Sequence, residues 1–210
     1  MKKLFFTLAL ALSIMTINAQ DVGHFWVGGN LGFVSSKTKD TDGSQTSYKV
    51  LPEFGYVLNE NIGVGLQVGY THTEGNQDIF SSATYVPYSI DYNAYTIAPF
   101  VRYTFLKGSI GGLYVDGGVS YTSGKDKTND LKSNILEIGF RPGIAISVSD
   151  NVSITGKFGF LGYQNRKDDE PEYVFDNDLN PIASKYSVTT NSFGLNLDMS
   201  QFLVGVNIAF

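Results

Sequence analysis

Cysteine is absent from the 210 residues, histidine occurs only twice, tryptophan once and proline six times. The missing thiols exclude a disulfide framework, a thiolate metal site, a cysteine nucleophile and the acylated N-terminus of a lipoprotein. Charge is scarce as well: 17% of residues are ionisable Asp, Glu, Lys or Arg, with a formal net charge of −5. Duplex nucleic acid is held by Lys and Arg neutralising phosphates, so an acidic chain gives no reason to expect that partner. Apolar runs of about 20 residues, which a membrane-spanning helix requires, are also lacking. What is abundant is glycine (23), phenylalanine (15) and tyrosine (13), in a chain that is 42% apolar and so too hydrophobic for disorder. The length suits one domain, or two small ones at most.

The first residues form a separate unit. MKKLFFTLALALSIMTINAQ opens on Lys2 and Lys3, continues through an apolar run from Leu4 to Ile17 and reaches the small residue Ala19. This is the three-part pattern of a secretory leader, and it predicts a signal peptide over 1–19, cleaved after Ala19, ahead of a mature domain over 20–210. The alternative, a retained anchor, is disfavoured because the run is shorter than a bilayer span.

Beyond residue 20 the apolar positions recur every second residue, the period of a pleated strand with one greasy face, and no stretch keeps helical spacing. In IGVGLQVGYTHT (62–73), Ile62, Val64, Leu66, Val68 and Tyr70 share one face with His72, while Gly63, Gly65, Gln67, Gly69 and Thr71 take the other. Seven more segments alternate: HFWVGGNLGFV (24–34), YKVLPEFGYVL (48–58), NAYTIAPFVRYTF (93–105), GLYVDGGVSYT (112–122), ILEIGFRPGIAISV (135–148), VSITGKFGFLGY (152–163) and QFLVGVNIAF (201–210). In the seventh, Val152, Ile154, Phe158 and Phe160 are read onto one side. Connections alternate too. Asn59–Asn61, Leu106–Gly111 and Ser149–Asn151 are short, whereas 35–47, 74–92, 123–134 and 164–200 are long and polar. The expected fold is all-β: an eight-stranded antiparallel up-and-down transmembrane β-barrel with short periplasmic turns and long extracellular loops.

The face opposite the apolar one distinguishes membrane from water. It carries Glu53, Gln67, Arg102, Asp116, Glu137, Arg141, Lys157 and Asn207 among Gly and Thr. Facing lipid, the three cations would cost about 2–4 kcal/mol each near the midplane, so these residues must point inward. The greasy face is edged by Tyr48, Tyr70, Tyr95 and Tyr121 near the loops and by Tyr56 and Tyr103 near the turns, as interfacial girdles require. An eight-strand lumen is just wide enough for side chains to fill. The three acids and three bases on these strands therefore predict a salt-bridged plug, with Asp116 between Arg102 and Arg141 and Glu53 facing Lys157. The alternative is a wet interior with each charge solvated, for which the many inward glycines leave room.

With its leader, eight alternating segments and terminal Phe210, the whole mature chain resembles the small outer-membrane barrels of the OmpA, OmpX and OmpW type, most of all the porin-family barrel domain common in Bacteroidetes. LVGVNIAF (203–210) is similar to the C-terminal assembly signal of that class, with Gly205, Ile208 and Phe210 at the usual spacing and Leu203 departing from the usual polar residue. The resemblance implies a location in the outer membrane of a Gram-negative cell and insertion by the barrel assembly machinery. It also implies contact with outer-membrane lipids and lipopolysaccharide, and a monomeric state. It assigns no activity, because that group includes structural anchors, adhesins, solute channels and a few lipid-modifying enzymes.

One phase slip stands out. Phe193, Leu195, Leu197 and Met199 are odd, whereas Phe202 and the following apolar residues are even, so a bulge or change of direction is expected near Ser200 and Gln201. A continuous strand over 192–210 would be about 60 Å long, so 192–199 is expected to rise above the bilayer or fold over the barrel mouth. A ten-strand barrel is the competing count.

No catalytic, cofactor or metal site is expected. His72 with Glu74 is the one place for histidine chemistry, but no Ser lies two residues on to act as nucleophile. DNDLN (176–180) opens like a calcium loop but has Pro181 in place of the required Gly and Ser187 in place of the bidentate Glu. Asp168, Asp169, Glu170, Glu172, Asp176 and Asp178 could at most gather divalent ions loosely. The readings left open are a non-enzymatic barrel acting through its loops or as envelope structure, a channel for small or hydrophobic solutes, and a lipid-modifying enzyme.

Overall fold

The computed structural model describes residues 23–37, 43–81, 84–128, 130–175, 181–197 and 202–210; residues 1–22, with the expected leader and its cleavage point, and 176–180, with DNDLN, lie outside them. Ten strand segments are described: β1 (Phe25–Lys37), β2 (Ser44–Val57), β3 (Ile62–Ser81), β4 (Thr84–Gly108), β5 (Gly111–Asp126), β6 (Leu131–Ser147), β7 (Val152–Lys157), β8 (Phe160–Phe175), β9 (Pro181–Asn196) and β10 (Leu203–Ala209). From β1 to β6, each strand pairs with the next in antiparallel sense. β10 returns to β1, from Trp26 opposite Ala209 to Leu31 opposite Val204, and closes the cylinder.

Ten segments make eight staves. β6 pairs with β7 at the turn end, Gly143 opposite Lys157, and with β8 towards the long hairpins, Phe140 opposite Leu161. β7 and β8 are thus the two halves of one broken stave. β9 and β10 are the halves of the next, β9 pairing with β8 and β10 with β7. The chain is a closed eight-stranded antiparallel barrel.

Both breaks shift the pleat by one residue. Lys157 faces the lumen on β7, yet Phe160 does so on β8, because the backbone turns through the left-handed region at Gly159 (φ +68°). Phe158 is 44% exposed on the outside and Phe160 only 7% exposed inside, so the reading that places them on one face is corrected. The slip expected near Ser200 falls between Asn196 and Leu203. Residues 192–196 do not fold over the mouth: they run in the wall, paired to β8, with Phe193 and Leu195 outward.

The long connections also differ from expectation, since the strands continue far into them. β3 and β4 stay in register from Ile62 opposite Tyr103 to Ser81 opposite Thr84, so most of 74–92 is hairpin rather than loop. At the other end the turns are tight. The Asn59 side-chain oxygen accepts hydrogen bonds from the amides of Asn61 and Ile62, both at 2.9 Å, which closes the β2–β3 turn.

Among the described residues the buried apolar side chains are Trp26, Leu51, Ala94, Tyr114, Phe160 and Leu203, all on the lumen face, while outward Leu66, Val68, Val101, Phe140, Val204 and Val206 are exposed. The core is therefore inside the cylinder and the greasy belt outside it. Several inward glycines, Gly55, Gly63, Gly65 and Gly143 among them, seat the large lumen rings, while Gly32 and Gly63 also border cavities. A Cβ at Gly55 would lie 2.0 Å from Trp26 Cζ2, and one at Gly143 would lie 2.4 Å from Tyr114 Cζ. Replacing Gly55 by valine is expected to destabilise the barrel by about 1–3 kcal/mol through overpacking. Gly108→Ala, whose nearest contact would be 3.6 Å, should be close to neutral. Urea unfolding in lipid vesicles, followed by the fluorescence of Trp26, the sole tryptophan, measures both.

Candidate functional site

Four of the six charged residues read from the inward face converge in the lumen because antiparallel register brings their strands level. Glu53 on β2 lies opposite Gln67 on β3, and Arg102 on β4 lies opposite Asp116 on β5. Lys157 at the end of β7 reaches across to both acids. Its Nζ is 2.8 Å from Glu53 Oε2 and 2.9 Å from Asp116 Oδ2. Arg102 Nε donates to Asp116 Oδ1 at 2.7 Å, and its Nη2 donates to Asp116 Oδ2 at 2.9 Å and to Glu53 Oε1 at 3.1 Å. Two acids and two bases thus form a neutral square.

Glu53 is the hub. Trp26 Nε1 (3.2 Å), Asn207 Nδ2 (3.1 Å) and Arg102 donate to its Oε1. Asn30 Nδ2 (3.1 Å), Gln67 Nε2 (3.4 Å) and Lys157 donate to Oε2. Both oxygens are saturated, as a carboxylate wholly removed from water requires. Side-chain exposure is 0% for Glu53, 5% for Lys157, 7% for Asp116 and 12% for Arg102. Aromatic faces complete the packing: the Arg102 guanidinium carbon sits 4.2 Å from the Tyr114 ring centre and 5.2 Å from that of Trp26, and Lys157 Nζ lies 5.0 Å from that of Phe100.

The remaining pair stands towards the hairpins. Arg141 is the register partner of Asp116, yet its Nη2 binds Glu137 Oε2 at 2.6 Å instead. Arg102 and Lys157 already occupy both oxygens of Asp116, whereas Glu137, four residues back on the same strand and face, is within reach. The expectation of Asp116 between two arginines is corrected accordingly. Ser120 Oγ (2.8 Å) and Gln164 Nε2 (3.1 Å) also donate to Glu137, and Arg141 stacks 4.6 Å from the Phe160 ring centre.

Cavities of about 340 Å³ lie on either side of the square. One opens at the short turns beneath Trp26, Arg102 and Tyr114, and the other lies towards the long hairpins beside Lys49 and Leu203. Sequence reading missed Trp26, Asn30, Ser120, Gln164 and Lys49 as lumen participants. Lys49 and Asn30 share parity with inward neighbours, Glu53 and Gly28, and that signal could have found them.

On the outer surface Tyr48, Tyr70 and Tyr95 form a row of tilted rings with centres 6.3 and 5.4 Å apart. His72 is packed 5.1 Å from the Tyr48 ring centre, with its Nδ1 3.0 Å from Asn93 Oδ1 and its Nε2 3.7 Å from Glu74. Among the described residues no hydroxyl is hydrogen-bonded to His72, so no nucleophile is assembled there. Among the described acids of the β8–β9 hairpin, Asp168 is engaged by Arg166, Asp169 by Ser187 and the Lys132 amide, and Glu170 by Tyr186; Asp176 and Asp178 lie outside the described residues. Hydrogen bonds from the Lys125 and Lys185 side chains hold the Asp130 carboxyl at the β5–β6 turn below the usual carboxylate range. Among the described residues no group of three His, Asp or Glu could hold a metal ion.

Among solved structures, the chain is similar to OprG from Pseudomonas aeruginosa, with 13% identity and a TM-score of 0.55 over 93% of this chain and 99% of that one. It is also similar to a major outer membrane protein from Thermus thermophilus (17% identity, TM-score 0.49, 90% and 99% covered) and to Neisserial surface protein A (17% identity, TM-score 0.47, 89% and 97% covered). At these identities the likeness to OprG is one of fold. A search of the curated proteins finds no match. Residues 4–210 match the family model for the outer membrane protein β-barrel domain, and with the closed eight-stranded wall this places the chain in that family.

Proposed function

We propose that the protein is a non-enzymatic integral barrel of the outer membrane, closed midway by its ion network and acting through its long hairpins or as envelope structure. The buried square of Glu53, Arg102, Asp116 and Lys157 carries this reading: four charged groups tied across four staves neutralise one another inside the lumen and leave no unpaired charge among them to attract a passing ion. The leader over 1–19, cleaved after Ala19, would export the chain. Gly205, Ile208 and Phe210 would present it to the barrel assembly machinery, and a monomer would sit with its aromatic girdles among lipid and lipopolysaccharide headgroups.

The second reading is a channel for small or hydrophobic solutes, favoured by the cavities on both sides of the square. Liposome swelling with solutes of graded size separates the two. Proteoliposomes are expected to swell no faster than empty vesicles, and a rate that falls smoothly with solute size would establish the channel. Lipid modification has only His72 and Glu74 behind it. Loss of lipid A acyl chains on expression, abolished by His72→Ala, would establish that reading.

A further inference from the structure

We propose that the lumen beyond the square, towards the long hairpins, is a binding vestibule for a small organic monoanion, a carboxylate with a short apolar chain, recognised by Lys49. Most charges on this part of the inner wall are held close to partners, and the buried Asp126 on β5 is bound by the amides of Asp91 and Thr128. Below, two acids meet two bases; above, Arg141 is matched by Glu137, whose oxygens also receive Ser120 and Gln164. Lys49 has no close partner: among the described residues its ammonium has neither a carboxylate within ion-pairing distance nor a side-chain hydrogen bond, and the nearest charges acting on it are the mutually paired Glu137 and Arg141. An ammonium held between low-dielectric walls and facing a cavity attracts a counter-charge more strongly than the same group on an open surface.

The cavity beside it, about 340 Å³, fits such a ligand in composition as well as in charge. Gln45, Ser47 and Thr71 supply neutral polar groups, Val34 and Leu203 form an apolar wall, and no acid lines it. Leu203, buried, stands between this cavity and the staves that carry the square. A carboxylate would sit at the Lys49 ammonium with its chain against Val34 and Leu203.

The test uses the folded protein in nanodiscs of zwitterionic lipid, with empty nanodiscs as background, and hexanoate as probe. Saturable binding is expected, with methyl resonances of Val34 and Leu203 shifting in the wild-type protein. Lys49→Met should weaken binding by about tenfold or more, as loss of a charged hydrogen bond does, while Lys49→Arg should keep it. Hexanol binding as tightly as hexanoate, unchanged affinity in Lys49→Met, or no saturable shift at Val34 and Leu203 in the wild type would overturn the assignment. Because binding at Lys49 is read by methyl shifts and not by solute flux, a positive result leaves the swelling experiment free to fail or succeed independently.

Discussion

Replacing Glu53 by alanine is expected to cost about 3–5 kcal/mol of folding free energy, because it strands two buried cations. Arg102 would retain Asp116, but Lys157 would share that single carboxylate, and the amides of Asn30, Gln67 and Asn207 would lose their acceptor together. Glu53→Gln keeps most of the volume and removes the charge, and should cost nearly as much, since an amide cannot neutralise Lys157 and offers one oxygen where two are used. The double variant Glu53→Gln with Lys157→Met should recover part of the loss, because neutrality is restored. Urea unfolding in lipid vesicles reads these three together with Lys157→Met alone, and a cost for the double equal to the sum of Glu53→Gln and Lys157→Met would show that the two groups are not coupled.

The second large effect is on the other face. Leu66 points outward from β3, flanked on the same face by Val64 and Val68, and all three are exposed. Leu66→Arg is expected to destabilise the inserted barrel by about 2–4 kcal/mol if the position lies near the midplane, whereas Leu66→Ile should cost less than about 1.5 kcal/mol. The same arginine on a water-washed surface would be close to neutral. The experiment therefore separates a lipid-facing wall from an aqueous one, and it does so independently of the plug.

The wall is legible in the sequence because its signal is local. Period-two alternation in 62–73 or 135–148 follows directly from the pleat, and a single misassigned residue cannot hide it. The parity switch at Gly159 is obscured because Phe158 and Phe160 are equally apolar; only Leu161 and Tyr163, beyond the break, carry the new phase. The long hairpins look like loops because they are polar, yet Thr, Tyr and Val are frequent in them, and ladder hydrogen bonds form as readily above a bilayer as within it.

The lumen is legible only as a set of residues. Charge and parity name Glu53, Arg102, Asp116, Glu137, Arg141 and Lys157, but who pairs with whom depends on side-chain reach, so the backbone partners Asp116 and Arg141 end on different ions. Glycine's part is hidden for the same reason. One-dimensional pattern shows an absent side chain, and only the closed cylinder shows that the indole of Trp26 lies over Gly55 and Gly63.

Accessibility along β3 tests most directly whether the apolar face meets lipid while the charged face is shut inside. Because the chain has no cysteine, single cysteines at Val64, Leu66, Val68, Gln67 and Thr71 can each carry a nitroxide in the reconstituted protein. Labels at Val64, Leu66 and Val68 should be relaxed by oxygen dissolved in the bilayer. The label at Gln67, beside Glu53, should be shielded from both oxygen and a water-soluble nickel chelate, and the label at Thr71, in the vestibule, should meet the chelate. Strong nickel relaxation at Gln67, or oxygen relaxation that does not alternate with residue number, would contradict the enclosed plug or the lipid-facing wall respectively.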